Sequence, residues 1–288
     1  MTGLSAEYVD ARRSDPRTID ELIAAALSDA DTYVNGGWDA VVALHWRGTE
    51  EVFQRAARLC ESFCADERRV GAAILGQLGI SDHKFIRQRL NVLLKILRQE
   101  RDSDVLHSVL IALGHLGEAD AIGPAARFRS HPDSAVRYAT VHALSGYDDP
   151  AALNALIELT SDEDSDVRDW ATFGLGAQTE VDTPALREAL REALVRRLSD
   201  PDAVVRSEAL IGLARRRDAR VPAALLNELA ADSVDFGVVE AAESLAEPQL
   251  HSALLALRGR WDSDAELLER AILACSPRSE YSRQDSNL

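Results

Sequence analysis

The sequence predicts an all-α chain, a right-handed solenoid of antiparallel helix pairs, on three observations. The segment DSDVRDWATFGLG at 164–176 is one copy of a pattern that recurs along most of the chain. Aligned on Val167, the other copies fall at Gly36, Glu67, Val105, Val136, Val205 and Gly237, in steps of 31, 38, 31, 31, 38 and 32 residues. Such periods belong to stacked supersecondary units that bury their apolar faces only against their neighbours. Hydrophobic residues, mostly Ala and Leu, make up 46% of the chain and charged residues 28%, a balance suited to packed amphipathic helices. Strand signals are scarce.

Residues 1–17 read as a mobile arm. A single solenoid of about seven to eight helix pairs is expected over 18–275. It opens with TIDELIAAAL, where Thr18 and Glu21 have capping-box spacing. Within the repeat, the residue three before the aligned position is Asp102, Asp133, Asp164 and Asp202 in four copies, each suited to cap the helix that follows. The residue after it is Arg68, Arg137, Arg168 and Arg206, so an Asp–Arg ladder is expected along the stack, with the Arg reaching an acidic cap. Leu106 and Val238 interrupt it. The two 38-residue steps coincide with longer connections at 81–101 and 178–199, and Thr183-Pro184 suits a helix start. The copies at Gly36 and Gly237 are degenerate, as terminal repeats are. The polar, Ser-rich tail at 276–288 is expected to be disordered.

DPDAVVRSEALIGLARR at 201–217 and DSDVRDWATFGLG resemble HEAT repeats of the short phycobilisome-lyase HEAT-like type, over roughly residues 36–246. That class includes bilin-lyase subunits, deoxyhypusine hydroxylase, DNA-repair glycosylases and scaffolds, so the resemblance implies architecture without selecting an activity. Deoxyhypusine hydroxylase needs paired His-Glu motifs for iron, and no His-Glu dipeptide occurs here. The glycosylases hold DNA in a cationic channel, whereas this chain has a net charge of −16. No pigment-binding signature can be carried over from the bilin lyases.

Composition narrows the partner further. The net charge argues against nucleic acid. The basic stretch HKFIRQRLNVLLKILRQER at 83–101 reads as a helix with Lys and Arg on its solvated face. No apolar stretch spans a bilayer and no signal peptide is seen, so no membrane contact and a cytoplasmic location are expected. The three cysteines form no disulfide framework, and Cys60 and Cys64 read as buried small residues rather than metal ligands.

In HEAT-like arrays the side of the second helix opposite the packed face lines the concave surface. The packed face here is Val167, Ala171, Gly174 and Leu175 and their counterparts. The opposite side carries Trp38, Trp46, His107, His115, Tyr138, His142, Asp169, Trp170, Phe173, Glu208, Arg215, Glu240 and Glu243. Aromatic anchors followed by carboxylates suit a protein or peptide with a basic segment. The expected function is therefore a non-enzymatic scaffold, with no cofactor and no metal. The alternatives are a bilin-lyase-like or metal-assisted enzyme using His107, His115, His142 and Asp169, and an immunity protein against a basic toxin.

Overall fold

The computed structural model describes residues 10, 13–28, 37–80, 84–179 and 184–277. Gly36, Thr183, most of the N-terminal arm and the tail from 278 lie outside them. Sixteen α-helices and no strand occupy the described residues: α1 (Ile19–Ser28), α2 (Gly37–Arg47), α3 (Glu50–Leu59), α4 (Ala65–Gln77), α5 (Ile86–Gln99), α6 (Ser103–Leu116), α7 (Ile122–Ala126), α8 (Ser134–Leu144), α9 (Pro150–Leu159), α10 (Ser165–Ala177), α11 (Pro184–Arg197), α12 (Ala203–Arg215), α13 (Val221–Leu229), α14 (Phe236–Leu245), α15 (His251–Leu257) and α16 (Ala265–Ala274). Paired helices repeated in this order make an α-solenoid. The contacts group into two compact units, Met1–Ala155 and Leu156–Leu288.

The aligned position is the third residue of α4, α6, α8, α10 and α12, which fixes the phase of these second helices. In the first unit α4 packs on α6 and α6 on α8; in the second, α10 packs on α12, α12 on α14 and α14 on α16. Their shared face is the core. Val105, Val136, Val167 and Val205 are fully buried, as are Ala171 and Leu175. Small residues let the backbones approach: a Cβ on Gly212 would stand 2.6 Å from the Gly176 Cα.

Asp102, Asp133, Asp164 and Asp202 each accept hydrogen bonds from backbone N–H groups of the helix they precede. Asp235 and Asp264 do the same for α14 and α16. Because Asp235 is the cap, Gly237 is the second residue of α14 and not the third, so the last copy is displaced by one residue from the sequence alignment. At the N-terminus, Thr18 and Glu21 close their capping box, with Thr18 N donating to Glu21 Oε2 at 2.7 Å and Glu21 N to Thr18 Oγ1 at 3.2 Å.

Arg68, Arg168 and Arg206 meet carboxylates other than the caps, which corrects the expected ladder at those positions. Arg68 Nε donates to Glu100 at 2.7 Å, Arg168 Nε to Asp200 at 3.0 Å and Arg206 Nε to Glu228 at 2.8 Å. In each case Nη1 spans the two carbonyls six and five residues earlier, and Arg137 does so on His131 and Pro132. Each cap carboxylate is occupied by the N–H groups of its own helix, so the guanidinium binds the turn before that helix and reaches a different carboxylate. Glu100 and Asp200 stand two residues before the caps Asp102 and Asp202 and accept the backbone N–H of those caps as well.

The two longer connections share a device that sequence reading missed. Helix α4 ends in carbonyls that the side chain of Arg89 takes up, donating to Leu75 O, Gly76 O, Leu78 O and Lys84 O. Arg216 does the same for α10, on Leu175 O, Gly176 O and Thr179 O. Arg89 is therefore buried, whereas the periodicity of 83–101 placed its cations on a solvated face. Burial lowers its pKa to about 10. Cys60 is buried as expected, and burial pushes its thiol up to about 12; Cys64 is exposed, because it stands at the N-cap of α4.

Candidate functional site

In the first unit, α2, α4 and α6 bring part of the predicted aromatic set together. Trp38, 42% exposed, shares a shallow depression with Gln77, His107, Ile111 and His115. His115 and His142 have ring centroids 6.5 Å apart, and Tyr138 lies 5.8 Å from His142. The side chains stand on α6 and α8, whose close packing is set by Gly114: a Cβ there would meet the His142 carbonyl oxygen at 2.8 Å. Burial holds His107 and His142 below the ordinary imidazole range, so both are neutral near pH 7.

Trp46 departs from this set. It faces a different depression, lined by Ser14, Asp15, Gly48, Gly79 and Lys84, and the Arg13 guanidinium lies 5.7 Å from its ring centroid. The stretch of the N-terminal arm that passes it is tied down: Arg47 Nη2 donates to the backbone carbonyls of Asp15 and Arg17. The repeat phase could not foresee this, because the covering residues precede the first repeat.

In the second unit, Trp170 and Phe173 meet edge to face, with centroids 5.8 Å apart and planes at 79°. Trp170 is 36% exposed. Asp169, next to Trp170 in the chain, belongs to a group of mutually repelling carboxylates. Asp169 Oδ1 is buried with no hydrogen-bond partner. Burial raises the Asp169 pKa to about 6, helped by the charges of Asp202, Asp166 and Asp235. Burial likewise raises Glu208 to about 7, helped by Asp169, Glu240 and Asp235 and opposed by Arg215. Asp169, Glu208 and Glu240 stand at the fifth, sixth and fifth positions of the consecutive second helices α10, α12 and α14.

Two further members of the predicted set are already engaged. Glu243 forms an ion pair with Arg270 of α16 at 2.8 Å. Arg215 is exposed at the end of α12 and donates through Nη1 to Ala177 O at 2.9 Å. Among the described residues no group of three His, Cys, Asp or Glu side chains is placed to hold a metal ion. No helix among them is long and apolar enough to cross a membrane.

Comparison with known proteins agrees with the repeat reading. The family model for HEAT repeats matches residues 90–176 and 160–247. Protein YibA of Escherichia coli (strain K12) is 31% identical over 233 residues, covering 76% of this chain and 79% of its own. The X-ray structure of YibA superposes with a TM-score of 0.72 at 25% identity, over 96% of this chain and 98% of that one. The CpcE–CpcF phycocyanin lyase complex of Nostoc sp. PCC7120 is similar at a TM-score of 0.40 and 21% identity, over 85% of this chain and 90% of that one. Repeat spacing, helix pairing and a relative matched along three quarters of the sequence converge, and the chain belongs to the HEAT-repeat family.

Proposed function

We propose that the chain is a non-enzymatic scaffold that binds a protein or peptide through the exposed face of its second helices, with a basic stretch of the partner against the second unit. The observation that carries this reading is the edge-to-face pair of Trp170 and Phe173 on the helix that also carries Asp169, whose charge acts on Glu208 together with that of Glu240. An aromatic edge offers apolar area at low entropic cost, as binding hot spots do. The carboxylates beside it are held partly out of water with too little positive charge nearby, so an incoming Lys or Arg gains more there than at a solvated acid. Trp38, His107, His115, Tyr138 and His142 supply an aromatic and imidazole surface in the first unit by the same logic. Arrays of this kind commonly present extended binding surfaces.

The test is affinity purification from the native cell with the unmutated chain and with Trp170→Ala combined with Tyr138→Ala. The expected result is loss of the partners that the unmutated chain retains. Titration of a recovered partner segment then measures the anchor: Trp170→Ala alone is expected to weaken binding by about tenfold or more, in the range of a hot-spot truncation. Unchanged partners and unchanged affinity would overturn the reading.

A further inference from the structure

The structure assigns a second binding site to the second unit: a pocket for a phosphate-type oxyanion, formed by Arg191, Arg215 and Arg217 where α10 and α12 end. It adjoins the acidic face through Arg215, whose charge is felt at Glu208, but it stands without the reading proposed above.

The pocket is a cavity of about 470 Å³ with arginines as its principal charged lining. That is unusual in a chain with 48 acidic against 32 basic residues. Helix ends of this polarity normally repel anions, because their carbonyls carry the negative end of the dipole. Arg216 removes that obstacle. Its Nη1 and Nη2 groups donate to Gly176 O, Gly212 O, Leu175 O and Thr179 O at 2.7–2.9 Å, so the carbonyls are occupied.

The other three guanidiniums keep donors in reserve. Arg215 uses Nη1 on Ala177 O, and Arg217 makes one long contact of 3.4 Å to Leu245 O. Neither forms an ion pair among the described residues. Arg191 touches Arg216 O at 3.3 Å and stands 3.7 Å from Asp218, whose carboxylate is already held by Arg220 at 2.7 and 2.8 Å. Arg191 Nε is buried with no hydrogen-bond partner. A buried N–H donor without an acceptor is costly, and Arg191, which lines the cavity, has its charge offset only by the distant and already engaged Asp218. Arg217 also sits in the left-handed region at φ +48°, a conformation non-glycine residues rarely adopt, and it is next in the chain to the Arg216 that closes the carbonyls.

Three guanidiniums with unspent donors exceed what the two oxygens of a carboxylate can accept. A phosphate group offers three or more acceptor oxygens and close to two negative charges, and guanidinium forks match that geometry. The ligand class is therefore a phosphate or phosphate monoester.

The experiment is thermal unfolding and calorimetric titration of the full chain with inorganic phosphate and with O-phosphoserine, against acetate and against sodium chloride at matched ionic strength. The expected result is a midpoint that rises with phosphate concentration well beyond the salt control, with acetate inert. A larger response to O-phosphoserine than to inorganic phosphate assigns the site to a phosphorylated ligand; the reverse assigns it to the free ion. Arg215→Gln with Arg217→Gln is expected to weaken phosphate binding by at least about tenfold. Both side chains are exposed, and Arg217→Gln alone keeps the Ala177 contact if the double variant loses stability. A phosphate response equal to the salt control, matched by acetate, or undiminished in both variants would overturn the assignment.

Discussion

Glu208 is where a single residue carries the most electrostatic information. Its pKa is raised in the folded chain, to about 7, above the ordinary carboxylate value of 4.5. A group with a raised folded pKa contributes stability that is fully present below its unfolded pKa and is lost as pH rises through its folded one. Between about pH 4.5 and pH 7 ionisation of Glu208 therefore works against folding. Glu208→Gln is expected to raise stability by about 1 kcal/mol at pH 8, discounted for partial solvation, and by almost nothing at pH 4. Chemical denaturation of both proteins across that range checks it; a gain that does not grow with pH would contradict the assignment. Asp200 has the opposite sense. Burial alone would raise its pKa, but hydrogen bonds from Arg168 and the Asp202 amide, with the charges of Arg168 and Arg197, lower it. Its side chain is 2% exposed, so Arg168→Ala removes the bidentate partner of a buried carboxylate and leaves it only Arg197 at 3.2 Å, at an expected cost of about 2 kcal/mol near pH 7. That cost should shrink below about pH 4 as Asp200 protonates. Neither behaviour was legible from sequence: Asp169, Glu208 and Asp200 were visible as acids, but Arg168 beside Asp200 and the acids that Asp169 and Glu208 meet on the next helices lie about a repeat away along the chain.

Helices show the reverse balance, because most of what shapes them is local. The caps at Asp102, Asp133, Asp164 and Asp202 could be read directly, since an Asp three residues before a buried Val needs only its own helix to do its work. The buried stripe through Val167, Ala171 and Leu175 follows from helical periodicity for the same reason. The last copy failed by one residue where the pattern was weak and Asp235 took over the cap. Gly212 marks the point at which local pattern meets packing. A methyl group there would press on the Gly176 backbone, which cannot yield as a flexible side chain can. Gly212→Ala is accordingly expected to destabilise by about 2 kcal/mol despite its better helix propensity. Thermal or urea unfolding would show it, and an unchanged or higher midpoint would mean that α10 and α12 are not held this close.

At the scale of the whole molecule the dominant quantity is charge. A net charge of −16 disfavours the compact state through self-repulsion, which added salt screens. The thermal midpoint at pH 8 is therefore expected to rise between about 20 mM and 300 mM sodium chloride. A fall over that range would place the net weight on the ion pairs, such as Arg68 with Glu100, instead.

The sequence by itself determined the helix-pair repeat, its phase in the middle copies, the caps and the apolar stripe, because each depends on residues within a few turns of one another. Only the tertiary structure decided which polar groups meet. It turned the Asp–Arg ladder into arginines on carbonyls and other acids, buried Arg89, covered Trp46 with the N-terminal segment, joined Glu243 to Arg270 and gathered the arginines at the ends of α10 and α12. These contacts join residues that are mostly a repeat apart. Helical periodicity states which way a side chain points, and stacking decides what it finds there.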